Sequence, residues 1–279
     1  MDKNKPIKAE DYAEPCCPLS MEGFGATAEI KPVPQKRIMD KLDEYMAKRD
    51  YAGAERHLNY WQAEAELGSD LRGKLLIMNE KIGFYRKTNQ KEKAYESIDL
   101  ALELLKVLDY EGSITSGTTY TNAATACQNF GDPQQALIYF QKARKVYELS
   151  EHTAPDLLGG LYNNMAISLA AVGRYDEAIA MYNKALCEME KVQGSEPERA
   201  ITYLNMANVF EEQLGLEEAE STIFDLLDMA LDLLENPSCP EDGYFAFVLE
   251  KCAPTFSYYG YFKAAEELAQ RSEAIYARA

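Results

Sequence analysis

The chain has 279 residues, 47% of them hydrophobic, and its 29 Lys and Arg against 46 Asp and Glu give a formal net charge of −17. That balance argues against nucleic acid and anionic membrane surfaces as partners, since both require a basic face. No apolar run approaches the roughly 18 residues of a membrane span. The opening Met1-Asp2-Lys3-Asn4-Lys5-Pro6 leads into no apolar stretch, so no secretory leader is expected, and the cytoplasm is the expected compartment.

Residues 1–34 hold five of the eleven prolines, Pro6, Pro15, Pro18, Pro32 and Pro34, and show no helical periodicity. Proline removes backbone donors and fixes φ, so this stretch is expected to be an extended or partly disordered arm ahead of a helical domain over 35–279. The arm either packs over the first helices or into a neighbouring copy, or it hangs free. Pro15-Cys16-Cys17-Pro18 reads as an inert or redox-labile pair, because adjacent cysteines chelate a metal poorly. The other cysteines share no Cys-x-x-Cys spacing, so no metal site is expected. Cys127, Cys187 and Cys252 are expected to be small buried hydrophobes.

From about Lys36 the sequence repeats. Ala54, Ala94, Ala136, Ala178, Ala219 and Ala265 recur at 40 to 46 residues. Twelve residues before the last five lie Ile82, Ala124, Ala166, Ala207 and Ala253, and between the markers come Asn89, Gly131, Gly173 and Gly260, with Gly215 displaced by one. Four residues after the alanine comes a bulky group, Leu58, Ile98, Phe140, Tyr182 or Ile223. Small residues let two helices approach, the bulky one fills the gap to the next pair, and the turn residue ends a helix at positive φ. Asp132-Pro133 reads as an N-cap followed by proline at the first helical position. The expected fold is all-α, a right-handed superhelical solenoid of about six antiparallel hairpins. Two places depart from the pattern. Leu226 stands where a small residue is expected, and Pro254 is expected to kink or break the first helix of the last hairpin.

Asn122-Ala123-Ala124…Gly131-Asp132-Pro133-Gln134-Gln135-Ala136…Phe140…Ala143 resembles a tetratricopeptide repeat, and so does Asn164-Met165-Ala166…Gly173…Ala178…Tyr182…Ala185. The period exceeds the usual ~34 residues and is similar to the longer form in kinesin light chains. The resemblance implies that the first helix of each hairpin lines a concave groove, and that Asn122, Asn164 and Asn205 face it. An amide donates and accepts together, so a ladder of amides can grip the backbone of an extended peptide; the bland alternative is bonding within the repeat or to solvent. Arg86, Thr125, Gln128, Asn208 and Glu211 are expected inside the groove or at its rim. The lining would then run from basic (Lys81, Arg86, Lys87) to acidic (Glu211, Glu212). The partner implied is a protein or peptide, with a basic segment as one form of it.

Between Arg199 and Lys251 lie twelve acidic residues and no basic one. This is a solvated face or a docking surface for a basic partner. Eight aromatics fall between Tyr244 and Phe262, as core and end-cap packing or as an exposed patch for a partner or second copy. His57 and His152 lie in different repeats, His57 in a packing place, and no phosphate loop, Gly-x-Ser-x-Gly elbow or His-Glu-x-x-His is present. Neither catalysis nor a cofactor is expected. The function expected is a protein-interaction scaffold; a peptide-responsive regulator and a self-associating module are the alternatives.

Overall fold

Seven connections in this chain turn on one backbone geometry. Arg49, Ser69, Asn89, Asp109, Gly131, Gly173 and Gly260 all have positive φ. The residue after each donates its N–H to the carbonyl five positions back, as in Asp50 to Tyr45, Asp132 to Cys127 and Tyr261 to Phe256, at 2.8–2.9 Å. This left-handed stop ends a helix and satisfies its last carbonyls within two residues. The next helix can therefore start at once, often under a side-chain cap. Asp50 accepts from Gly53 N at 2.8 Å, Asp70 from Gly73 N at 2.9 Å and Asp132 from Gln135 N at 3.0 Å. Such short links force neighbouring helices antiparallel.

The computed structural model describes residues 30–278. The Pro15-Cys16-Cys17-Pro18 element and most of the expected arm lie outside them. Among the described residues there are twelve helices and no strand: α1 (Gln35–Ala47), α2 (Tyr51–Leu67), α3 (Leu71–Lys87), α4 (Lys91–Val107), α5 (Ile114–Asn129), α6 (Pro133–Leu149), α7 (Pro155–Ala171), α8 (Tyr175–Met189), α9 (Glu196–Leu214), α10 (Leu216–Leu234), α11 (Gly243–Tyr258) and α12 (Phe262–Tyr276). They pair in order as six hairpins, giving the expected all-α solenoid. Through α9 each even-numbered helix also packs on the odd-numbered helix that follows. Odd-numbered helices touch one another as well, α3 on α5, α5 on α7, α7 on α9 and α9 on α11. They therefore form one continuous side of the stack.

The core follows the repeat markers. Ala54, Ala94, Ala136, Ala178 and Ala219, and the bulky Leu58, Ile98, Phe140, Tyr182 and Ile223, are at most 1% exposed. Ile82, Ala124, Ala166 and Ala207 are fully buried on the facing helices. Leu226 is buried at the place filled earlier by Ala101, Ala143 and Ala185, and past it the last hairpin docks chiefly through α11 on α9.

Two expectations need correction. Pro254 does not break its helix: α11 runs continuously to Tyr258. Proline removes one donor, to the Glu250 carbonyl, while Cys252, Ala253 and Phe256 stay buried around it and hold the segment in place. Cys187 is exposed, whereas Cys127 and Cys252 are buried. It lies two residues after the buried Ala185, roughly 200° further round α8 at about 100° per residue, and so faces out.

Residues 31–33 dock on the α2–α3 turn. Lys31 N donates to Gly68 O at 2.9 Å, and Val33 N to Asp70 Oδ2 at 2.9 Å. The other oxygen of the buried Asp70 caps α3 through Gly73 N at 2.9 Å. Asp70→Ala removes both bonds and should cost about 1–2 kcal/mol in urea unfolding, more than Asp50→Ala, which loses an exposed cap alone. Equal costs would mean that the Val33 contact contributes nothing.

Candidate functional site

The side formed by the odd-numbered helices carries a row of polar side chains that cross between hairpins. Asn79 Nδ2 on α3 donates to Thr119 Oγ1 on α5 at 3.1 Å, and Asn122 Nδ2 on α5 returns a bond to Asn79 Oδ1 at 3.1 Å. Ser168 on α7 donates to Gln128 Oε1 on α5 at 2.9 Å, and Thr202 on α9 to Asn163 Oδ1 on α7 at 3.2 Å. Tyr258 at the end of α11 and Tyr259 just after it both donate to Glu211 on α9, each at 2.7 Å. The partners are 39 to 48 residues apart, one repeat each, so the face is a stitched polar seam. Thr119, Asn163, Ser168 and Thr202 were missed in the sequence. The signal was present as polar residues one repeat apart on successive first helices.

The three asparagines of the expected ladder all lie on this side, half-buried, on α5, α7 and α9. They differ in engagement. Asn122 uses its donor on Asn79, Asn164 donates to Gly160 O of its own helix at 2.9 Å, and Asn205 makes no side-chain hydrogen bond to another described residue. In all three the carbonyl oxygen accepts nothing from the described residues. Thr125 spends its hydroxyl on Thr121 O, at 2.7 Å, and Gln128 is tied to Ser168. Arg86 is half-buried at the end of α3, where burial pulls its pKa down and no carboxylate of the described residues pairs with it.

The expected gradient from basic to acidic is only partly presented. Lys81 is buried and turned toward α2, where its ammonium donates to Asn59 Oδ1 at 2.6 Å and to Gln62 Oε1. Its place beside Ile82 puts it in the helix-to-helix contact, not on the open face. At the other end Glu211 is occupied by the two tyrosines, and Asn208 Oδ1 accepts from Tyr259 at 3.1 Å. The tyrosine hydroxyl is held protonated well above its ordinary pKa, first by burial and then by the Glu211 bond.

The aromatic stretch divides. Phe245, Phe256 and Tyr259 are core, while Tyr244, Phe247, Tyr258 and Phe262 are exposed, Phe262 by 70%. His57 packs between Tyr45 and Trp61 with Nε2 3.0 Å from Ile38 O, and burial lowers its pKa. Among the described residues no group of three or more His, Cys, Asp and Glu could hold a metal, and no helix is long and apolar enough to cross a membrane.

The family model described as tetratricopeptide repeat matches residues 157–236, which span most of α7 to α10. A curated Guillardia theta protein, described as uncharacterized protein ycf37, is 29% identical over 98 residues, 35% of this chain and 49% of that protein. The match thus spans about half the relative's length. Among solved structures, BtubC (BKLC) from P. vanneervenii is 17% identical with a TM-score of 0.56, covering 83% of this chain and 91% of that one. A Podosopora anserina putative kinesin light chain with nearly identical TPR-like repeats is also 17% identical, with a TM-score of 0.51, covering 72% of this chain and 94% of that one. These likenesses are of fold. The match places residues 157–236 among tetratricopeptide repeats, and the structural likenesses show that the chain has the fold of a tetratricopeptide-like helical-repeat solenoid.

Proposed function

We propose that this chain is a non-enzymatic scaffold, acting in the cytoplasm, that holds an extended segment of another polypeptide along the side formed by its odd-numbered helices. Tetratricopeptide repeats are generally protein-interaction scaffolds. One observation carries the finer reading. Asn122, Asn164 and Asn205 lie in register on three successive hairpins, and each keeps a carbonyl oxygen without a donor among the described residues. Packed helices lie roughly 8–10 Å apart, and a strand advances about 3.3 Å per residue. Each hairpin would therefore meet about three residues of an extended peptide, and one backbone N–H per hairpin could reach an amide. Arg86, Thr125, Gln128, Asn208 and Glu211 would flank that path. The net charge favours a partner with a basic segment.

Selection of binders from a displayed random-peptide library tests this. Asn164→Ala/Asn205→Ala is the variant to use, because Asn122 also ties α5 to α3. Selected peptides should lose about tenfold or more in affinity, as two hydrogen bonds of ordinary strength require, while the fold melts as wild type. Unchanged affinity would contradict the ladder. Self-association is the second reading, favoured by exposed Tyr244, Phe247 and Phe262 on the last hairpin. A mass that rises with concentration in sedimentation would support it.

A further inference from the structure

At the place where later repeats carry Asn122, Asn164 and Asn205, two residues before the small or apolar marker, α3 has Glu80. Glu80 and Asn122 line one cavity of about 390 Å³ between α3, α5 and the start of α1. This lies near the lower end of the roughly 300–1,000 Å³ of ligand pockets. Its walls are apolar at Leu75, Leu76 and Ile114.

Two acceptors in this notch lack a donor. Asn79 Nδ2 donates to Leu75 O and Thr119 Oγ1, both at 3.1 Å, which fixes that amide and turns Oδ1 toward Asn122. Asn122 must then present its Nδ2 there, leaving its own Oδ1 unpaired among the described residues. The Glu80 carboxyl is half-buried and forms no hydrogen bond or ion pair with a described residue. Burial raises its pKa, and the negative charge of Asp43 on α1 acts in the same direction. Arg72, the basic side chain that lines the notch, stands eight residues back, about 12 Å along the helix at 1.5 Å per residue. Its guanidinium lies over the Tyr110 ring, 5.7 Å from the centroid. A half-buried carboxylate without a countercharge is costly, and a donor-bearing cation would relieve it.

We propose that this notch is a cation-reading subsite that takes a lysine or arginine side chain of the bound segment, with Glu80 as counter-ion and Asn122 Oδ1 as second acceptor. The apolar walls cover the methylenes of such a side chain while its charged end reaches the carboxylate. The identity of the occupant rests on the groove reading above; the notch itself does not.

The test titrates the full chain with n-butylammonium, the charged end of lysine, and with neutral n-butanol, followed by amide NMR. Butylammonium should shift α3 and α5 resonances around Glu80 and bind about tenfold better than butanol, and Glu80→Gln should erase that preference. Equal binding of the two in wild type, or a preference that survives Glu80→Gln, overturns the subsite. A short Gly/Ser peptide with one central lysine and its norleucine counterpart form the second arm. Lysine preferred in wild type and not in Glu80→Gln supports both subsite and occupant. A butylammonium preference without any peptide binding supports the cation notch and sinks the groove reading alone.

Discussion

Phe140→Ala should lower the unfolding free energy by about 3–5 kcal/mol, the usual cost of emptying a large buried aromatic site. Phe140 is fully buried in α6, the helix that pairs with α5 and packs on α7. In a solenoid each hairpin is held by its neighbours, so the loss falls on an interface as well as on one repeat. Hydrogen exchange should therefore accelerate through α5 to α7 more than in α11 and α12. Melting within 1 kcal/mol of wild type would mean that this interface does not couple the stack.

Gly117→Ala should destabilise by about 1–3 kcal/mol despite alanine's better helix propensity. A Cβ at 117 would sit 2.2 Å from Cε1 of Tyr147 on the paired helix. That ring cannot easily give way, because it is buried and its hydroxyl lies 3.0 Å from Thr118 Oγ1. Tyr147→Leu in the same chain should recover part of the loss by vacating the clash. A neutral or stabilising Gly117→Ala would show that α5 and α6 stand further apart than described.

The same position explains what the sequence did and did not disclose. Alanine markers at constant spacing revealed the hairpins because each is buried at a helix contact, where only a small group fits. A second small register, seven residues earlier at Gly117, Gly159 and Ala200, went unread. All three are buried, with Gly159 against Met189, but Leu75 occupies that place in α3 and blurs the period. The turns at Arg49, Ser69 and Asp109 were equally silent. Their left-handed residue is not glycine, and the capping bonds that stabilise it come from the backbone. Cys187 and Lys81 depart from expectation for a common reason: residue type says nothing of the angle round the helix. By type a cysteine belongs inside and a lysine on the open face, and each lies the opposite way. On the odd-numbered helices the amides are legible as a period, whereas their bonding is not. Whether an asparagine is spent on its own helix, as Asn164 Nδ2 is on Gly160, depends on local geometry that spacing does not encode.

The structure of the chain with a peptide from the displayed-library selection should show an extended peptide on the odd-numbered helices, with backbone N–H groups within about 3 Å of the oxygens of Asn122, Asn164 and Asn205. A peptide seated on the even-numbered helices, or on the exposed aromatics of the last hairpin, would contradict the ladder.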